Sequence, residues 1–245
     1  MFVKRIWLIV ITFVLMIIMS VLIKNIFVAG VINFVIIVVG YMVIAYIRSK
    51  KRLNLLEENC NPQSFIEATE KQILITGKNH KINMYLCIDK AAGLIVKGEF
   101  QEALEILNTI DQSCLSLKNG TLLVYTLNLI ICFYELGDIT QAEEIFETQV
   151  PLLAPVNRRM VLAMKMLVAE RYFYINKYEE SKEQFQQLLK EQSSRRTQME
   201  ILFRLAQIEE VKGNISDAKQ KYMEVAEKGG ELWVASQARK TLEHR

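Results

Sequence analysis

Four short stretches decide the fold: GEFQEA at 98–103, GDITQA at 137–142, NKYEES at 176–181 and GNISDA at 213–218. Their starts lie 39, 39 and 37 residues apart. Each opens on Gly98, Gly137, Asn176 or Gly213, residue types that end a helix in the left-handed conformation. Each closes on a small residue, Ala103, Ala142, Ser181 or Ala218, which lets two helices approach. Four positions on stands a large residue, Leu107, Phe146, Phe185 or Tyr222, to fill the space beside it. Seven positions before each turn stand Ala91, Ile130, Ala169 and Ala206. The flanking stretches repeat their apolar residues at helical spacing, with no useful run of strand-like alternation. A fixed period of this length marks an array of stacked units, each too small to bury its own apolar face.

The pattern resembles the tetratricopeptide repeat (TPR), a helix–turn–helix unit that stacks into a superhelix. The resemblance covers about residues 81–228. The period is longer than the family's ~34 residues, so helices or links are extended. The third copy has Asn176 and Ser181 where the family prefers Gly and Ala. The resemblance implies an all-α solenoid of about four helix pairs over residues 80–245. A capping helix over 231–243 would cover its last apolar face. In the family the first helix of each pair lines a concave groove. Carried over by register, the partner groove comprises Tyr85, Ile88, Ala92 and Ile95, then Leu127, Ile131 and Tyr134. It continues through Met166, Glu170 and Phe173 to Phe203, Gln207 and Glu210. The Lys and Asn residues that clamp a peptide carboxylate in the best-known groove type are missing, which disfavours that ligand.

Charge divides the chain before the repeats begin. Residues 1–52 hold seven cations and no acid, and the first acid is Glu57. The remainder carries 23 basic and 27 acidic residues, so the overall net charge of +3 does not describe a nucleic-acid-binding protein. Residues 6–23 and 26–47 are uncharged. At 1.5 Å per residue they cover about 27 and 33 Å, which suits two membrane spans. Lys24 and Asn25 separate them, so residues 1–52 read as a transmembrane helical hairpin. A cleaved signal peptide is disfavoured by the length of the first run and by the second that follows. Lys4, Arg5, Arg48, Lys50, Lys51 and Arg52 flank the hairpin on one side, against Lys24 at the turn. The positive-inside rule then puts both ends and the repeat domain in the cytoplasm. Trp7, Tyr41 and Tyr46 lie towards that side, at the headgroup level such rings favour. Ser20 and Asn33 are the notable polar residues within the spans, suited to a hydrogen bond inside the hairpin. The Ile- and Lys-rich character suggests an inner or cytoplasmic membrane of a bacterium.

Residues 53–79 are a juxtamembrane linker and a helix. Asn61 followed by Pro62 marks the start of that helix, cap and then first-turn proline, over 63–75. Residues 122–134 are apolar nearly all round, and a helix apolar on every face is buried on every face. Its groove side therefore calls for a cover: the helix at 63–75, a second copy of the chain, or a separate helix or peptide. Lys81, Arg158, Arg159, Arg195 and Arg196 precede or open the first helices and form a basic edge. That edge suits an anion, such as a lipid headgroup or phosphopeptide, or salt bridges to nearby Glu.

Catalysis is not expected. His80 and His244 have no nucleophile or base nearby in sequence, and no Gly-rich phosphate loop occurs. Cys60, Cys87, Cys114 and Cys132 are well separated, so no metal, cofactor or disulfide scaffold is expected. The expected function is a membrane-tethered scaffold that recruits a protein or peptide partner, with lipid contacts through the hairpin. A structural subunit held by its hairpin, and a ligand-opened sensor with its groove filled in cis, are the alternatives.

Overall fold

The computed structural model describes residues 13, 14, 16–18, 26–77, 79–191 and 193–244. It divides into two compact units, Met1–Lys51 and Arg52–Arg245. All regular structure among the described residues is helical.

Helix α1 (Ile26–Glu57) begins with the uncharged residues 26–47; its residues up to Lys51 belong to the first unit and those from Arg52 to the second. It is long and apolar enough to cross a membrane, with a mean hydropathy of 2.6 over its most apolar window. From Phe27 to Lys50 its side chains are exposed, except at Ala29, Ile32 and Asn33. Ala29 and Asn33 are buried, and their spacing of four puts them on one helix face. Of the expected first span, only 13, 14 and 16–18 are described, as helix. Lys4, Arg5, Trp7, Ser20 and the turn at Lys24 and Asn25 lie outside the described residues.

The second unit holds α2 (Pro62–Thr76), α3 (His80–Lys97), α4 (Phe100–Asn108), α5 (Thr121–Glu135) and α6 (Ile139–Gln149). They are followed by α7 (Arg158–Tyr174), α8 (Tyr178–Lys190), α9 (Arg195–Val211), α10 (Ile215–Lys228) and α11 (Trp233–Glu243). Short 3-10 turns at Gln112–Cys114 and Val150–Leu152 lie in the longer links. Consecutive helices pack as pairs, α3 on α4, α5 on α6, α7 on α8 and α9 on α10. The pairs join through α3–α5 and α5–α7 contacts, and α11 packs on both α9 and α10.

The four repeated stretches make four tight turns of one geometry. Gly98, Gly137, Asn176 and Gly213 have φ of 90, 84, 61 and 79°. The next N–H in each turn donates to a carbonyl five residues back, from Glu99 to Leu94, Asp138 to Phe133, Lys177 to Tyr172 and Asn214 to Glu209. This bond satisfies a carbonyl that the helix end would otherwise leave open. Ala103, Ala142, Ser181 and Ala218 are fully buried, as are Ala91, Ile130, Ala169 and Ala206. The close contact inside each pair is therefore made by these eight positions. Ser181 serves in place of alanine because its hydroxyl donates to the Ala169 carbonyl at 2.9 Å.

The unit closes on itself. The Glu231 N–H donates to the Cys60 carbonyl at 2.9 Å, and Asn61 donates to the Glu231 side chain at 3.0 Å. Trp233 meets Phe100 edge-on at 5.3 Å and Phe203 at 5.8 Å. Cys60 is buried in one cluster with Met199, Phe203, Tyr222 and Leu232. Gly98 lies under Trp233: an added Cβ would sit 2.2 Å from the indole, whereas Gly137 and Gly213 face open space. Gly98→Ala and Gly137→Ala share the cost of a left-handed alanine, about 1–2 kcal/mol. Gly98→Ala also overpacks the indole, for about 1–3 kcal/mol more. Thermal denaturation of the two variants side by side should show the lower midpoint for Gly98→Ala.

Asn61 and Pro62 open α2 as the sequence suggests, with the Asn61 side chain accepting from the Ser64 N–H at 2.7 Å. Phe65 and Ile66 press α2 on α3 at Gly93, where a Cβ would come within 2.8 Å of Ile66. Between Leu123 and Tyr134 the apolar helix α5 is buried by neighbours in its own chain, α3, α4, α6 and α7, except at Val124, Ile131 and Phe133, which are half-buried. Stacking on both sides thus buries faces that a single helix pair would leave open.

Candidate functional site: concave positions and an ion-paired interior

The first helices carry the groove positions to different surroundings. On α3, Ile88 is buried and shares a cluster with Ile66, while Tyr85, Ala92 and Ile95 are half-buried. On α5, Leu127 and Tyr134 are buried in that same cluster, and Ile131 packs against it. Asn128 ties the two helices by donating to the Ile88 carbonyl at 3.4 Å. On α7, Met166, Glu170 and Phe173 are half-buried. On α9, Phe203 is buried and Gln207 half-buried, with Glu210 one turn beyond Gln207's neighbour Ala206. Phe173, Phe203, Gln207 and Glu210 join Val211, Tyr222, Trp233, Gln237 and Thr241 around an open cleft of about 350 Å³.

Beside this cleft sits Arg204, which periodicity assigned no role. It is 6% exposed. Its guanidinium donates to Glu170 at 2.8 Å, to the Tyr174 hydroxyl at 2.8 Å, to Gln207 at 2.9 Å and to Glu135. The Phe173 and Tyr174 rings lie 5.0 and 5.2 Å away. A planar five-donor group suits this many acceptors from three helices. Burial pushes the Glu170 carboxyl up to about 7 against the pull of Arg204, with Glu135 and Glu200 adding to the rise.

The end of α1 supplies a second buried ion cluster. Residues 48–56 continue α1 past the expected hairpin into the expected juxtamembrane linker, and they carry it to Glu57. Helix-forming Arg, Lys and Leu in this stretch favour the continuation. Glu57 is 8% exposed. It accepts from Arg159 at 2.6 Å, from the Ser194 hydroxyl at 2.5 Å and from Arg196 at 3.2 Å. Arg196 also grips Glu200 at 2.7 Å. Upstream, Arg52 pairs with Asp89 at 2.6 Å and donates to Thr69 at 3.3 Å. The last turns of α1 thus bond to α2, α3, α7 and the start of α9. Burial alone would raise the Glu57 carboxyl; Arg196, Arg159 and Ser194 outweigh it and hold the group at about 2. Burial likewise raises Glu200 and Asp89, against Arg196 and Arg52 respectively.

Two cations of the expected basic edge, Arg159 and Arg196, therefore converge on an anion from their own chain. Lys81, Arg158 and Arg195 stay on the exposed surface. Glu57 was visible in the sequence as the first acid after seven cations, but its partners lie 102 and 139 residues away. Arg204 carried no signal beyond a charge inside an otherwise apolar helix stretch. The helix at 63–75, one of the three candidate covers, packs on α3 through Phe65 and Ile66, and Ile66 shares a cluster with the groove position Ile88. Among the cysteines, burial pushes the Cys132 thiol up to about 12. No protein-family model, curated protein or solved structure matches the chain.

Proposed function

We propose that the protein is a membrane-tethered adaptor with a TPR-like solenoid that docks a protein or peptide partner. The open cleft carries this reading. It gathers Phe173, Phe203 and Gln207, concave positions from two repeats, under Trp233. Half-buried Phe173, Trp233, Gln207 and Gln237 around a concavity suit a short peptide segment. The tether is α1, preceded by a second span to make a hairpin whose charge bias puts the solenoid at the cytoplasmic face of a bacterial membrane. Confining the partner there raises its effective concentration without new contacts.

A second reading has its own support. Glu57 ties the end of α1 to Arg159 and Arg196, so a ligand competing for those guanidiniums would free that end. The protein would then act as a sensor closed in cis.

The test uses full-length protein in its membrane with a photo-cross-linker at Gln237, on the cleft rim, and a control at Lys219 on an exposed helix face. A partner captured from Gln237 alone is then purified. Its binding should weaken about tenfold or more with Val211→Arg, which puts a charge on an exposed part of the cleft. Equal capture from both positions, or binding indifferent to Val211→Arg, would sink the adaptor reading. Capture that requires Glu57→Ala would favour the sensor.

A further inference from the structure

Outside the cleft, the fold brings together three metal-binding side chains that the sequence keeps apart. His80 is the first residue of α3, whereas Asp111 caps and Cys114 ends the 3-10 segment after α4. We propose that His80, Asp111 and Cys114 form a site for a divalent cation of the zinc class. Their ligand atoms all lie within 4.8 Å of one another. Cys114 Sγ is 3.7 Å from Asp111 Oδ2. Zinc bonds of ~2.3 Å to sulfur and ~2.0 Å to oxygen in a tetrahedral site need a separation of roughly 3.6 Å. That edge of the coordination shell is already in place, and the imidazole lies within 4.8 Å of both donors.

The surroundings hold the donors in position. Asp111 Oδ1 accepts from the Ser113 N–H at 2.9 Å, which turns Oδ2 towards the thiol. Gln112, between the two ligands, donates to the Tyr125 hydroxyl at 3.2 Å and anchors the segment to α5. Asn79 accepts from the Ile82 N–H at 3.2 Å and fixes the start of α3 next to His80. Such supporting bonds orient ligands and raise affinity. One nitrogen, one carboxylate oxygen and one sulfur suit zinc and its borderline neighbours, whereas magnesium and calcium prefer oxygen throughout. A carboxylate and a thiolate bring two negative charges, enough to outweigh the positive end of the α3 dipole. Cys114 is a free thiol, half-buried, and His80 and Asp111 are exposed, so the ion enters from solvent and keeps an open position for water. Binding forms the metal–sulfur bond and releases the Cys114 proton to solvent. The bound ion would clip the long connection between α4 and α5 to the head of α3.

The test is a cobalt titration of the reduced, chelator-stripped full-length protein in detergent. Stoichiometric binding should give a thiolate-to-cobalt charge-transfer band and the visible bands of a tetrahedral ion, both removed by added zinc. Cys114→Ser should abolish the charge-transfer band, and His80→Gln should weaken cobalt binding about tenfold or more. Cys87→Ser should leave both unchanged. These ligand positions are at the surface, and circular dichroism checks that each variant keeps its helices. No charge-transfer band in the native protein, or a band that survives Cys114→Ser, overturns the proposal.

Discussion

Replacing Glu57 with alanine should destabilise the second unit by about 3 kcal/mol and remove part of its sensitivity to acid. The substitution leaves Arg196 largely buried with only Glu200 to answer it, and frees Arg159 and Ser194. The pH dependence gives an independent measure. Glu57 titrates at about 2 in the folded chain against 4.5 for the free group. A depressed carboxyl stabilises the fold above the unfolded value, and the contribution disappears as pH falls from 4.5 through 2. The shift corresponds to about 3 kcal/mol. Urea denaturation at a series of pH values should show native protein losing that stability below pH 4.5. Glu57→Ala should start lower and fall less. Equal stability of the two at neutral pH would mean that the end of α1 is not part of the packed unit.

The second large effect belongs to Arg204. Arg204→Met should cost about 3–5 kcal/mol, because Glu170 and Glu135 lose the guanidinium that offsets their burial. Converting Glu170 to methionine as well should restore much of the loss, since an apolar pair of similar volume has no charge to desolvate. A double-mutant cycle read by urea denaturation tests this; a double variant worse than the sum of the singles would rule the account out. Here the pH sign is opposite to that of Glu57. The folded chain holds the Glu170 proton up to about 7, above the 4.5 of the free group. That contribution is complete below pH 4.5 and is lost as pH rises through 7. Glu170→Gln should therefore flatten the stability profile over that interval.

The two clusters also mark where reading the sequence succeeds and stops. The four turns were legible because a turn is local chemistry. Gly98, Gly137, Asn176 and Gly213 must take a positive φ, and the small residue five positions later must admit a neighbouring helix. Asn61 and Pro62 announced α2 for the same reason, and α11 begins within two residues of its expected start. The cover over α5 stayed open between three candidates, because a helical wheel shows which faces are apolar but not how many neighbours stacking supplies. The expected groove positions rest on register, and register does not say which of them packing presses together. Leu127 and Tyr134 end in the core while Phe173 and Gln207 reach the cleft. Glu57 was passed over because its partners arrive through tertiary folding. No local spacing links Glu57 to Arg196, or His80 to Cys114.

The contact between Asn61 and Glu231 joins residues 170 positions apart. Open repeat arrays can gain order one unit at a time, each added unit resting on the last. This chain cannot finish its first units until its last are made. At a synthesis rate of ~5–20 residues per second, the interval is roughly 10–30 s. For that time Cys60 and the underside of Gly98 lack the backbone and indole that later cover them. The nascent chain spends that interval with an apolar seam exposed, and Trp233 arrives as the residue that seals it.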